Sequence, residues 1–219
     1  MEKTFAVIAA YNEQAHIKSV VQETKKHVDE VVVVDDGSKD NTKELAKEAG
    51  ATVLVHIVNL GKGAALKTGC DYALENGAGI IIAIDADAQH NPQDIPRFLG
   101  NLKGCEVVLS YRQYSEAMPK ILKFGNHFIN KTIKFLYGLE IKDSQCGYRA
   151  FTANAYKKLR WKASDYSIES EMIAKIGKYK LSYKEIPIET VYSDKYKGTT
   201  VLDGIKIVLN LLLWKLNSV

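Results

Sequence analysis

The segment Ile80–Pro92 reads IIIAIDADAQHNP, an apolar run ending in two aspartates one residue apart. If the run is a strand, alternate residues share a face, and Asp85 and Asp87 can approach one ligand together. Two hard carboxylates suit Mg2+ or Mn2+; Gln89 can add a neutral oxygen, and His90 a nitrogen or a hydrogen bond. Such a metal would serve a phosphorylated donor. Two rival chemistries use the same residues: a phosphatase with Asp85 as nucleophile, or a dinucleotide fold in which Asp85 holds a ribose hydroxyl. The plainest reading is a strand end capped by turn-forming aspartates.

Three further polar segments discriminate among these. In DDGSKDNT, an aspartate at Asp35–Asp36 can accept N–H donors from a nucleobase edge, while Ser38 or Asp40 can cap the next helix. In AAYNE, Tyr11 can stack on a base, and Glu13 suits a first helical turn. In NLGKGAAL, Gly61 and Gly63 flank Lys62 at a helix start, where backbone can approach phosphate and the helix end favours anions. A dinucleotide fingerprint lacks its third glycine, because Leu66 stands there. The phosphatase motif belongs on a first strand, whereas Asp85 ends the fourth apolar run. Each rival explains one segment and leaves three.

The elements that must position these residues follow from patterning. Four short apolar runs, Thr4–Ala9, Glu30–Asp35, Ala51–Val55 and Gly79–Asp85, alternate with helical patterns at Glu13–His27, Asn41–Ala49 and Gly63–Glu75. Runs apolar throughout suit strands buried on both faces. The alternation predicts an α/β fold, a parallel sheet with helices on both sides and ligands at the carboxyl ends of the strands. Glu106–Ser110 continues the pattern. Beyond it come a long helix over Met118–Gly138, a loop KDSQCGYRAF, a helix over Ile168–Lys178, short strands within Leu181–Tyr192 and a final apolar helix from Val201.

Composition sets the outer bounds. The 219 residues, 46% hydrophobic and 26% charged, fit one globular domain with a distinct second half. A net charge of +4 does not point to nucleic acid. Cys70, Cys105 and Cys146 are odd in number and far apart, which reads as a reducing compartment without a disulfide framework or zinc site. The first residues turn polar too early for a signal peptide, and no apolar run approaches the roughly 18 residues of a membrane span. The expected location is cytoplasmic, with any membrane contact peripheral.

Taken in order, AAYNE, VVVVDDGSKDNT, NLGKGAAL, DADAQHNP and DSQCGYRAF resemble family 2 glycosyltransferases, in particular the dolichol-phosphate mannose synthase type that acts on polyprenyl phosphates. The match is close over about the first 150 residues. The resemblance implies a GT-A fold, a UDP- or GDP-hexose donor, Mg2+ or Mn2+, and inversion at the anomeric carbon. It implies that Ala9, Tyr11 and Glu13 line the nucleoside pocket, that Asp36 holds the base edge and that Lys62 lies near the nucleotide. Asp85 would hold the ribose or metal side, with Asp87 and Gln89 on the metal at the diphosphate. Arg112, in LSYR, matches an arginine near the acceptor phosphate, and Lys123, Arg149 and Lys197 are further acceptor-binding candidates. With residues 1–112 as the donor half, 113–219 would form the acceptor half.

The sequence departs from the family pattern in two places. Ala10 stands where Pro or Ser is usual, and KKLRW lacks the glutamine of the Gln-x-x-Arg-Trp signature of processive polysaccharide synthases. The chemistry stands on its own terms. Charge develops on the departing diphosphate, and a cation stabilises it. A lipid phosphate acceptor is already an anion. A sugar or protein hydroxyl would need a carboxylate base, for which Asp143 is the candidate. A nucleotide-sugar-binding scaffold without turnover is a further alternative.

The second half carries the membrane question. Lys120, Lys123, His127, Lys131 and Lys134 recur at spacings of three and four, one helical face, among Ile121, Leu122, Phe128, Ile129, Ile133 and Leu136. A basic amphipathic helix suits an anionic membrane, or an isoprenoid with a phosphate head, as well as a plain solvated face. The last helix is apolar nearly all round, with Asp203, Lys206 and Asn210 as a thin polar edge, fit to dock on the fold, lie at an interface or join a membrane-protein partner. Lys195 and Lys197 lie in the basic segment YSDKYKGTT.

Overall fold

The computed structural model describes residues 2–113, 120–165, 167–189 and 201–216, with the side chains of 120–124 and 201–203 outside that description. Lys195 and Lys197, and the side chains of Lys123 and Asp203, therefore lie outside the described residues.

The strands are β1 (Thr4–Ala10), β2 (Glu30–Asp35), β3 (Thr52–Val55), β4 (Ile80–Ala83), β5 (Val107–Arg112), β6 (Arg149–Thr152) and β7 (Tyr183–Ile188). The helices are α1 (Ile17–Thr24), α2 (Thr42–Glu48), α3 (Lys62–Glu75), α4 (Ile95–Leu102), α5 (Lys120–Tyr137), α6 (Ala153–Leu159), α7 (Ile168–Tyr179) and α8 (Val201–Leu216). One sheet has the order β3-β2-β1-β4-β6-β5-β7. β3, β2, β1 and β4 pair in parallel, as do β5 and β7, while β6 is inserted antiparallel between β4 and β5. The carboxyl ends of β1, β2, β4 and β5 therefore lie on one rim.

Strand periodicity sorts the core into two layers. Phe5 and Val7 of β1 face α3, α5, α6, α7 and α8, whereas Ala6 and Ile8 face α1, α2 and α4. Both layers are apolar, so the run needs no polar alternation.

The departures from expectation have local causes. β4 stops at Ala83, where its register with β1 ends at Val7, instead of running to Asp85. Asp85 and Asp87 therefore sit in a turn and do not share a strand face. Helix α1 starts at Ile17, because residues 11–16 form a turn whose Glu13 amide donates to the Thr42 hydroxyl at 2.8 Å. The loop KDSQCGYRAF ends in β6, and of the short strands expected within Leu181–Tyr192 the described residues form one, β7, with 190–192 outside them.

Candidate active site

Two loops at the rim are locked together first. Asn12 adopts φ 54°, unusual for a residue with a side chain; its amide donates to Ser38 Oγ at 2.9 Å and its side-chain oxygen accepts from the Lys39 amide at 2.8 Å. This joins the end of β1 to the end of β2. Ala9 is half-buried in β1, Glu13 is buried, and Tyr11 projects from the joined loops with 42% of its surface exposed.

Asp36, expected at a base edge, is buried and holds protein instead. Its carboxylate accepts from the amides of Leu60 at 2.9 Å and Gly61 at 2.8 Å, and meets His56 Nδ1 at 2.7 Å. The far side of the His56 ring meets Thr68 Oγ1 at 3.0 Å. Asp36 thus shapes the loop leading into α3.

The glycines around Lys62 are also engaged by protein. A Cβ on Gly61 would lie 2.3 Å from the Ser164 carbonyl oxygen, and one on Gly63 would lie 2.4 Å from that of Ala163. The Gly63 amide donates to Ser164 O at 2.8 Å, and Trp161 Nε1 donates to Gly63 O at 2.7 Å. The first turn of α3 is therefore capped by residues 161–164 rather than left open to phosphate. That segment is held in turn by Glu171, which accepts from the amides of Lys162 and Ala163 and pairs with Lys175 at 2.8 Å.

What this scaffold presents is Lys62. Its Nζ lies 2.8 Å from Asp85 Oδ1 and 3.0 Å from Oε1 of Glu169, a buried residue in the first turn of α7. Burial opposes the charge on Lys62, but Asp85 and Glu169 outweigh it and raise its pKa. Burial likewise works against ionised Asp85, yet Lys62 and His90 hold its carboxyl well below the usual range. His90 is buried, with Nε2 3.6 Å from Asp85 Oδ2 and its ring 5.4 Å from that of Tyr148. Its Nδ1 makes no hydrogen bond. Gly147 completes the floor: a Cβ there would lie 2.8 Å from Lys62 Nζ and 3.0 Å from Asp85 Oδ2.

Asp87 stands apart from this cluster. Its Oδ1 accepts from the Gln89 amide at 3.0 Å across Ala88, which adopts φ 59°. Among the described residues no cation pairs with Asp87. Asp87 and Gln89 are both half-buried on the open turn. Among the described residues no cluster of three His, Cys, Asp or Glu is placed to hold a metal. The donor set nonetheless fits Mg2+ or Mn2+, which are commonly bound by one or two carboxylates plus substrate phosphates. Asp87 and Gln89 offer two oxygens; Asp85, held by Lys62, offers its remaining valence less freely.

At the end of β5, Arg112 Nε donates to Asp143 Oδ2 at 2.7 Å and Nη2 to Oδ1 at 3.2 Å. Asp143 is buried and also accepts from Asn126 Nδ2 at 3.0 Å and the Gln145 amide at 3.1 Å. Burial would raise its pKa, but Arg112 and these donors lower it. Asp143 therefore orients Arg112 and is poorly suited to take a proton. Arg149 does not reach an acceptor surface either. It is buried, and its guanidinium donates to the carbonyls of Cys146, Glu169 and Ser144 at 2.8, 2.9 and 2.8 Å, pinning the loop before β6. Beside Arg112 opens a cleft of about 530 Å3 lined by Tyr111, His127, Asn130, Lys131, Lys134 and Lys142. Lys142 Nζ sits 4.3 Å over the Tyr111 ring, and Lys134 pairs with Glu140.

Of the residues expected together, Lys62 and Asp85 meet directly, Asp87 and Gln89 lie on the turn that follows Asp85, and Arg112 ends β5. Glu169, Gly147 and His90 complete the floor. Sequence reading left the first two unassigned because each acts through a contact more than 60 residues away in the chain. An acid in the first turn of an apolar helix was the one signal for Glu169.

Known proteins are similar to this chain in sequence or in fold. An uncharacterized protein of Methanocaldococcus jannaschii is 36% identical over 98% of this chain and 93% of its own. The UDP-N-acetylglucosamine--dolichyl-phosphate N-acetylglucosaminyltransferase of Methanococcus voltae is 35% identical over 98% of this chain and 97% of its own. Glucosyl-3-phosphoglycerate synthase from Mycobacterium tuberculosis, solved with Mn2+, UDP-glucose and phosphoglyceric acid, superposes with a TM-score of 0.78 at 21% identity, over 99% of this chain and 80% of its own. That likeness establishes the GT-A fold. The family described as glycosyl transferase family 2 matches residues 5–160, and the chain belongs to it.

Proposed function

We propose that this chain is a metal-dependent, inverting glycosyltransferase that moves a hexose from a nucleotide sugar to a polyprenyl phosphate. The observation that carries the acceptor class is the state of the acid beside Arg112. Asp143, the carboxylate that holds Arg112, is saturated by donors and so is not free to deprotonate a hydroxyl. A phosphate oxygen needs no base. It needs cations, and Arg112 with the lysine-lined cleft supplies them at the strand end next to the donor rim.

In this reading residues 1–112 bind the donor and 113–219 the acceptor. Ala9, Tyr11 and Glu13 border the nucleoside. Asp87 and Gln89 would hold Mg2+ or Mn2+. When bound, the ion stabilises charge on the departing diphosphate as a Lewis acid. Lys62 stands as a fixed cation beside that diphosphate. The acceptor phosphate oxygen attacks the anomeric carbon opposite the leaving group; one C–O bond forms as the other breaks, which inverts the centre. The UDP named for the Methanococcus relative and the mycobacterial structure supports a UDP-sugar ahead of a GDP-sugar.

Helix geometry supports a membrane-surface setting, which this reading places on the cytoplasmic face. Among the described residues no helix is long and apolar enough to cross a membrane. Helix α8 nevertheless exposes Ile205, Leu209, Leu212, Leu213 and Leu216, and neighbouring α5 exposes Phe128 and Phe135. Such a face suits shallow burial in lipid beside the isoprenoid tail.

The test is incubation with labelled UDP-N-acetylglucosamine, UDP-glucose and GDP-mannose, a short polyprenyl phosphate, and Mg2+ or Mn2+. Label is expected in the organic phase, and chelation should abolish it. Label confined to a soluble hydroxyl acceptor, with every donor, would overturn the lipid-phosphate reading.

A further inference from the structure

The buried contact between Lys62 and Glu169 is the feature that the reading above leaves without a task. Buried ion pairs give little net stability, since desolvation offsets their attraction, and an apolar pair would serve a core as well or better. This pair lies at the strand-end rim, where ligands bind in sheets of this kind, and not deep in either apolar layer. We infer that Glu169 is a positioning residue of the donor site: its carboxylate holds the Lys62 ammonium in the place from which Lys62 reaches Asp85 and the donor diphosphate. The inference rests on the donor-site reading.

The physical argument concerns reach and rigidity. Lysine carries a point charge on a flexible four-carbon stem and loses about 2 kcal/mol of rotamer entropy when fixed. One carboxylate leaves such a stem hinged. Two, at 2.8 and 3.0 Å, fix it between them. Glu169 can act as the anchor because it is itself immobile. It lies in the first turn of α7, where the helix dipole favours an acid, and its main-chain oxygen accepts from Arg149 Nη1 at 2.9 Å. Arg149 in turn grips the carbonyls of Ser144 and Cys146, the residues just before Gly147. A continuous set of contacts thus runs from the loop before β6, through Arg149, Glu169 and Lys62, to Asp85. Asp85 stands two residues before Asp87, so displacement of Lys62 is felt at the turn that faces the diphosphate.

The experiment is a double-mutant cycle between Glu169→Gln and Lys62→Met, read by calorimetric titration of UDP in the presence of Mn2+ and by steady-state transfer. Glu169→Gln is expected to weaken UDP binding and raise the donor KM by about tenfold, the scale of one charged hydrogen bond, with a smaller change in kcat. Lys62→Met should do at least as much, and the double variant should bind UDP no worse than Lys62→Met alone. Glu169→Asp, which keeps the charge, should recover most of the affinity. Thermal unfolding of each variant separates loss of the fold from loss of the site. Independent, multiplicative losses would overturn the inference. So would a Glu169→Gln variant with unchanged UDP affinity and kcat down a thousandfold, which would put Glu169 at the reacting atoms. If the unaltered protein binds no UDP or other nucleoside diphosphate, the donor-site reading itself fails, and the cycle is not what decides it.

Discussion

Gly147→Ala perturbs the candidate site by a single methyl group. The added Cβ would lie 2.8 Å from Lys62 Nζ and 3.0 and 3.2 Å from the two Asp85 oxygens, where ordinary contact begins at 3.4 Å. The overlaps of 0.6, 0.4 and 0.2 Å follow by subtraction from those distances. Gly147 is not among the glycines with positive φ, so alanine adds no backbone strain and the effect is steric alone. Lys62 is flexible and can move, but movement away from Gly147 loosens its contacts with Asp85 and Glu169. Overpacking of this size costs about 1–3 kcal/mol, and in a chain of this length each kcal/mol lowers Tm by roughly 2–4 °C. A Tm lower by about 2–12 °C is therefore expected, together with UDP–Mn2+ affinity weaker by tenfold or more. Gly100→Ala is the control: it lies in α4 with nothing within 4 Å of the new Cβ and should leave UDP affinity unchanged. Differential scanning calorimetry and titration calorimetry read the two quantities. A Gly147→Ala protein with the parent Tm and the parent affinity would refute the placement of Lys62 and Asp85 against the loop before β6.

Other perturbations separate site from scaffold. Asp87→Ala should abolish Mn2+-dependent UDP binding while Tm stays within about 2 °C, because surface substitutions away from such networks cost under about 0.5 kcal/mol and Asp87, among the described residues, holds one local amide. Arg149→Leu leaves three buried carbonyls without their donor and should cost about 3–5 kcal/mol, visible as a large fall in Tm and in the yield of folded protein. The depressed pKa of Asp143 gives a stability contribution that is complete above its unfolded value and is lost only as pH falls through the lower folded value. Arg112→Gln removes the main opposing charge, burial then raises that pKa, and acid unfolding should begin at a higher pH than in the parent when followed by circular dichroism. Leu209→Glu with Leu213→Glu should cut sedimentation with anionic vesicles several-fold without lowering Tm, since both side chains are more than half exposed.

The first half of the chain was legible because its signals are local. Each strand is a short run buried on both faces, and each functional turn sits where that run breaks into polar residues, so Glu30–Asp35 is found without error and Asp85 and Asp87 are placed within one turn. What stayed hidden depends on which residues meet across the chain. Nothing near Asp36 in the sequence shows that its oxygens accept from the amides of Leu60 and Gly61. The same holds for Gly61 and Gly63, whose small size serves the approach of Ala163 and Ser164 rather than of phosphate. Strand β6 escaped because four residues starting with an arginine carry no strand pattern, and that arginine is buried by the carbonyls it serves. These contacts share a direction. A conspicuous polar residue at the rim reads from sequence as a ligand contact, and the structure adds that many of these polar groups also hold other polar groups in place. Asp87 and Gln89 on the turn, and Lys62 between its two carboxylates, are few, and each is held by a contact within the protein. A transferase that relies on fixed charge at a departing diphosphate requires that division, because charge that must reorganise during the reaction contributes less than charge already in place.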